Sequence, residues 1–379
     1  MVEKMGYNQR KKRDVGIELA RVVACLIVIG VHVSLNDMET GVYSLTRGFI
    51  NCLLADGVAS FWLITGCFLF QVNNYRKILI RTIKTVAIPI ALLQFFCIHF
   101  SALSESGGGI YQSIIYAVGT YGQRLKDALH FNPTIPATGD LWYCYTYILV
   151  MIAFPVLYVF VMWLEKNVQR EKWFCIITLL LLGLNDCSFN QVLQFSHQGI
   201  NALLPATIQV IWGHILYRHR EKIYRIKNKN VCIAGVLILL SMLNFVRMQV
   251  VNITGDKSIT YWYTVIGLFC AISLITVCMI WSRNISENTR HYKIIIELAS
   301  CTFGIYLIHL LVRIVLYRFR INKITFKLVT AFFKGFWGEI IYTLIFILIT
   351  FGVSLCIIEI LHLFLETIRK WRMKHDRKS

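Results

Sequence analysis

The sequence predicts an all-α integral membrane protein of about ten transmembrane helices, with the N- and C-termini both inside. Three observations predict it. Of the 379 residues, 57% are hydrophobic and only 16% charged, with a mean hydropathy of +0.61, whereas a soluble domain carries about 25% charged residues. Apolar runs of membrane-crossing length recur along the chain. The Lys and Arg residues concentrate in alternate connections: 27 fall in segments assigned inside and nine in segments assigned outside, as membrane topology requires. The net charge of +19 therefore reads as topology, not as nucleic-acid binding, because the positives sit in short loops between apolar runs.

Taken in order, the apolar runs place spans near 15–35, 49–72, 83–102, 141–164, 173–188, 199–217, 231–251, 260–281, 294–317 and 338–366. The first follows a basic stretch, Arg10 to Arg13, but lacks a small-x-small cleavage site, so it reads as a retained helix. The longest outside connection, 103–140, has glycines at 107–109 and the turn-rich stretch 132–140; long connections of this kind are often functional. The connection 318–337 is the exception to the charge pattern, with five positives on the outside. Residues 1–366 read as one multi-pass domain. Residues 367–379 read as a basic cytosolic tail suited to an anionic inner leaflet. The twelve cysteines are scattered through apolar runs without a CxxC pair, so they read as small buried hydrophobes and neither a disulfide framework nor a metal site.

Ionisable groups inside the spans need a reason, because they are costly there. The first span holds Arg21 and His32. Eleven residues make about three turns plus 20°, which puts both on one helix face about 16 Å apart. Arg21 could snorkel to the inner surface with Glu18 as partner. A lone intramembrane histidine often only hydrogen-bonds a neighbouring helix, but His309 lies at nearly the same depth in the ninth span. A shared polar chamber would explain both histidines. Arg247 and Arg313 are the other cations within spans.

A basic turn precedes Pro89. Its Lys77, Arg81 and Lys84 follow i, i+4, i+7 spacing, with Arg76 beside them, so on an α-helix the three share a face. Positive-inside topology accounts for such a cluster; so would a phosphate cradle facing the cytosol. Trp142 and Tyr143 open the fourth span, where an aromatic belt belongs, although both could stack on a sugar ring. Asp56 and Asp140 lie near outer helix ends, and Trp212-Gly213-His214 reads as interfacial. The tripeptides starting at Asn252 and Asn284 match glycosylation sequons.

These motifs, in this order, resemble the membrane acyltransferase 3 family over residues 14 to about 365. The resemblance rests on five stretches: Arg21-x10-His32; Phe61-Trp62-Leu63-Ile64-Thr65-Gly66, with Thr65 in the usual Ser place; the basic turn before Pro89; Leu141-Trp142-Tyr143; and Gly304-Ile305-Tyr306-Leu307-Ile308-His309. The resemblance implies a plasma-membrane acyltransferase that takes an acyl group, usually acetyl from acetyl-CoA as co-substrate, to a hydroxyl of an envelope carbohydrate. No bound cofactor or metal is expected. His32 and Arg21 would be the catalytic pair. Arg76, Lys77, Arg81 and Lys84 would hold the acyl-CoA phosphates. Tyr306, His309, Trp142 and Tyr143 would support the acceptor side. The expected partners are the bilayer, acyl-CoA and the carbohydrate acceptor, with glycan-assembly partners unspecified and no nucleic acid. From the residues alone, a transporter or flippase for a polysaccharide precursor or small anionic solute suits the same histidines.

Overall fold

The computed structural model describes residues 13–36, 45–105, 110–129, 141–186, 195, 200–255 and 260–375. The basic residues 10–12, the glycines 107–109 and the 132–140 stretch lie outside these. Among the described residues the secondary structure is helical throughout, and each of the ten expected apolar stretches forms helix. Seven helical segments are long and apolar enough to cross a membrane, and a bent pair makes an eighth. Two expected spans fall short for definite reasons. Helix α9 (Val168–Asp186) carries Arg170, Glu171, Lys172 and Asp186 within 19 residues. Helix α10 (Leu203–Arg218) has 16 residues, about 24 Å against a hydrocarbon thickness of about 30 Å.

Helix α1 (Val15–Asn36) is the axis of the bundle. It packs on α3 (Gly57–Leu69), α13 (Val265–Ser282), α14 (Arg290–Arg318) and α16 (Gly335–His375). Its sequence serves two apolar clusters at once. Ile17, Ala20, Ala24 and Val28 join the larger cluster, and Val22, Cys25, Ile29 and Val33 the smaller. Each set repeats at helical spacing, and the two faces lie about 140° apart. Asp14 starts the helix by accepting from the N–H groups of Gly16 and Ile17 at 3.0 and 3.3 Å, which satisfies two of its orphan donors.

The expected second span is broken. Helix α2 (Leu45–Leu53) stops at a turn before Gly57, and α3 resumes the direction to Leu69. Asp56, at that break, meets Arg247 of α12 (Lys229–Thr254) through two short contacts, Nη1–Oδ2 at 2.6 Å and Nη2–Oδ1 at 3.0 Å. Arg247 is 0% exposed and also donates to Thr264 Oγ1 at 3.1 Å. The bidentate pair removes the cost of an arginine inside a span.

Helix α3 packs most extensively on α10. The crossing is set by two glycines. A Cβ added at Gly66 would lie 1.8 Å from the Val210 carbonyl oxygen, and one at Gly213 would lie 1.9 Å from that of Leu63. Small residues bring helix backbones together where no hydrophobic force acts between helices. Trp212-Gly213-His214 is thus a packing element, with Trp212 Nε1 donating to Thr178 at 3.0 Å and His214 Nε2 at 2.8 Å from Glu165.

The expected fourth span bends by 67° between α7 (Trp142–Ile152) and α8 (Phe154–Glu165). Pro155 lacks an N–H and its ring clashes with the preceding turn. The Tyr75 hydroxyl donates to the Ile152 carbonyl at 3.2 Å, so one group released by the bend is satisfied.

Two expected connections contain helices. Between 103 and 140, α5 (Ile88–Glu105) runs on to its end and α6 (Ile110–Leu129) follows. Between 318 and 337 lies α15 (Ile321–Phe332), with Thr325 and Val329 buried and Lys323 and Lys327 exposed. Both are amphipathic, and polar faces kept them below the apolarity of a span. Of the five positives of 318–337, Lys323 and Lys327 lie on this helix, and Arg318, Arg320 and Lys334 are exposed beside it. Helix α16 continues without interruption through the expected tail boundary to His375. All eleven cysteines among the described residues are free thiols.

Candidate functional site

Between the two faces of α1 runs a third stripe, carrying Arg21 and His32. By helical spacing it lies in the seam where the two apolar clusters meet. Phe61 and Ile308 touch both clusters there. A polar side chain on this stripe faces other helices across the seam.

His32 of α1 and His309 of α14 meet across it, with ring centroids 5.3 Å apart and planes inclined at 41°. His309 is 1% exposed. Its Nδ1 lies 2.6 Å from the Tyr306 carbonyl oxygen, which can only accept. Nδ1 therefore carries a proton, which leaves Nε2 as the lone-pair side whenever the ring is neutral. One turn beyond His309, Arg313 donates through Nη1 to the His32 carbonyl oxygen at 2.5 Å. This ties the two helices together at the depth of the histidines. A cation and two imidazoles thus share one small volume.

From the histidines an aromatic chain leads away. Tyr306 lies 5.8 Å from His309, 5.7 Å from Tyr143 and 6.3 Å from Phe61 between ring centroids. Tyr143 packs on Trp62 at 4.5 Å, Trp62 on Trp262 at 6.0 Å, and Trp262 stacks on Trp142 at 5.9 Å. Thr65 follows Phe61 by one turn and donates to its carbonyl at 2.9 Å. Tyr306 therefore adjoins the histidine pair, whereas Tyr143 and Trp142 reach it only through other rings.

Toward the N-terminal end of α1, Arg21 pairs with Glu18 at 3.0 Å, and Arg13 adds a second cation at 3.2 Å. The Arg21 guanidinium lies 5.8 Å from the Phe68 ring centre. Arg21 and Arg81 both act electrostatically on the hydroxyl of Tyr147, one turn beyond Tyr143 on α7. Helix α4 (Tyr75–Thr82), which carries Arg81, packs on α7.

The basic turn itself is α4, capped by Asn74, whose side chain accepts from Lys77 N–H at 2.9 Å. It runs into a π-helical turn, Ile83–Ala87, and then α5. Pro89 in the first turn of α5 accounts for the wide turn, since its ring would crowd the carbonyl four residues back. Lys77 and Arg81 keep the α spacing; Lys84 falls in the π turn, where i+7 spacing no longer guarantees the shared face. Arg76, Lys77, Arg81 and Lys84 are all exposed. None of the four makes an ion pair among the described residues.

Tyr147 and Arg313 escaped the sequence reading as site residues, although each had a signal: Tyr147 is i+4 from Tyr143, and Arg313 is i+4 from His309. Trp262 had none, because it reaches Trp62 and Trp142 only through tertiary folding.

A family model described as an acyltransferase domain matches residues 14–359. No curated protein and no solved structure matches the chain.

Proposed function

The chain belongs to the acyltransferase 3 family and is a multi-pass membrane acyltransferase, and from that premise we propose that it moves an acetyl or other acyl group from cytosolic acyl-CoA to a hydroxyl of a cell-envelope glycan or glycolipid at the plasma membrane. The observation that carries this reading is the seam. Arg21 stands toward one end of it, and a histidine pair at 5.3 Å lies about 16 Å further along α1,.

In this reading the exposed cations Arg76, Lys77, Arg81 and Lys84 receive the CoA phosphates. The pantetheine arm passes Arg21 and Tyr147 and brings the thioester to the histidines. His32 takes the proton of the acceptor hydroxyl as the oxygen bonds to the acyl carbon. The carbon–sulfur bond then breaks, and CoA thiolate leaves and is protonated. Arg313 supplies positive charge where negative charge grows on the acyl oxygen, and His309 Nε2 accepts from and orients the acceptor hydroxyl. Tyr306, Tyr143 and Trp142 line the acceptor side, where aromatic rings stack on sugars.

The test is acyl transfer in membranes of expressing cells supplied with radiolabelled acetyl-CoA. His32→Ala should abolish labelling of envelope glycan at unchanged protein level, and His309→Ala should reduce it strongly. Equal labelling with and without His32 overturns the assignment of the base. Substrate movement across the membrane without acetyl-CoA would identify a transporter instead.

A further inference from the structure

We propose that Cys301, Glu359 and His362 form a binding site for a single zinc-class divalent cation that clips α14 to α16. Cys301 lies on α14. Glu359 and His362 are i, i+3 on α16 and therefore share the face turned to it. The thiol sulfur, a carboxylate oxygen and an imidazole nitrogen all lie within 4.8 Å of one another. The thiol already donates to Glu359 Oε1 at 3.0 Å. A tetrahedral ion with ligands at about 2.0–2.3 Å holds its donor atoms about 3.3–3.8 Å apart, so side-chain rotation alone closes the site.

The donor set selects the ion. One sulfur, one imidazole and one carboxylate suit zinc and its neighbours in the first transition row, whereas magnesium and calcium take oxygen ligands. Glu297, one turn before Cys301 on the same face and close enough to act electrostatically on its thiol, or a water molecule completes four-coordination. Burial is graded across the site: Cys301 is buried, Glu359 half-buried and His362 exposed. The ion therefore enters from the His362 side and ends against the thiol. Binding replaces the S–H proton with a metal–sulfur bond and releases that proton to water; no electrons are transferred.

The site is separate from the histidine pair. Cys301 precedes His309 by eight residues on α14, about 12 Å along the axis. It lies toward the basic end of the bundle, where Arg13 donates to the Ile296 carbonyl at 3.4 Å. Its occupation would fix the helix that carries His309 and Arg313 against α16.

The test uses the full chain in detergent micelles, stripped of metal and titrated with Co2+ as a spectroscopic probe and with Zn2+ by equilibrium dialysis. The wild type should bind a single ion and develop a sulfur-to-cobalt charge-transfer band. Cys301→Ser should lose that band, and His362→Ala should weaken Zn2+ binding by about tenfold or more. Cys232→Ser, on α12, should behave as the wild type. Absence of the sulfur band in the wild type, or its persistence in Cys301→Ser, overturns the proposal. Should Cys301→Ser fail to fold, His362→Ala decides at an exposed position: unchanged Zn2+ affinity there overturns the site.

Discussion

Replacing Gly66 with alanine adds one methyl group where, among the described glycines, an added Cβ would meet its neighbour most closely. The new Cβ would lie 1.8 Å from the Val210 carbonyl oxygen and 2.7 Å from its carbonyl carbon. Carbon–oxygen contacts in close helix pairs run at about 3.3–3.6 Å, so α3 and α10 must part by roughly 1.5 Å. The obstacle is backbone and cannot rotate aside. Overpacking typically costs about 1–3 kcal/mol and occasionally more; a rigid carbonyl puts this site at about 3 kcal/mol or above. That is a large share of a native stability of about 5–15 kcal/mol. The assay is unfolding of the purified protein in detergent, followed by tryptophan fluorescence, with Gly235→Ala as control. Gly235 lies in helix α12 with nothing within 4 Å of an added Cβ, so that change should leave stability equal or raise it by about 0.5–1 kcal/mol. If Gly66→Ala unfolds like the wild type, the glycine account of the crossing is wrong.

Removing Asp56 leaves Arg247 buried without its counter-charge, so Asp56→Ala should cost about 3–5 kcal/mol, while the double variant Asp56→Leu/Arg247→Met should recover much of it; unfolding in detergent reads both, and an Asp56→Ala chain of wild-type stability refutes the pairing. Arg81→Gln and Lys84→Gln should each raise the acyl-CoA KM several-fold at low salt, with a smaller effect at high salt and little change in kcat or folding; unaltered KM values remove these residues from donor binding. Burial and the neighbouring Asp14 carboxylate, to which its hydroxyl donates at 2.7 Å, push the Tyr224 phenol above its ordinary range. A group with a raised folded pKa contributes stability below its unfolded value and loses it as pH rises, so the protein should weaken above about pH 10 and Tyr224→Phe should weaken less; identical pH profiles would refute the contact.

Much of the helical framework is legible from apolar runs alone, because a membrane span must be both long and free of charge. The matching depth of His32 and His309 is legible for the same reason: depth is counted along a helix, and it needs no knowledge of neighbours. Their 5.3 Å approach is not, since which helices adjoin is decided by packing. Arg247 shows the difference most clearly. Its cost is visible in the sequence, but its partner lies 191 residues away on a break that hydropathy does not register. Pro155 carried a signal for the bend in the fourth span that the single expected span 141–164 did not use. Helices α6 and α15 carried a 3.6-residue pattern too polar for the hydropathy criterion. The neighbourhood of Cys301 is hidden from the sequence for the same reason. Spacing motifs find ligands close in sequence, and Cys301 meets Glu359 and His362 only through the α14–α16 contact.

The π turn at Ile83–Ala87 acts as a phase shifter. A π turn holds one residue more than the α turn it replaces, so everything after it is advanced by one position. Deleting a single residue there would convert the turn to ordinary α-helix and leave α5 facing as before, whereas straightening the turn to α-helix with every residue kept would rotate α5 by about 100° relative to α4. The cations of α4 and the lipid-facing side of α5 would then be set against each other, although no functional side chain had been lost. For this stretch the form of the turn is as much a constraint as its composition, and a one-residue deletion should be tolerated better here than in the α-helical turns on either side.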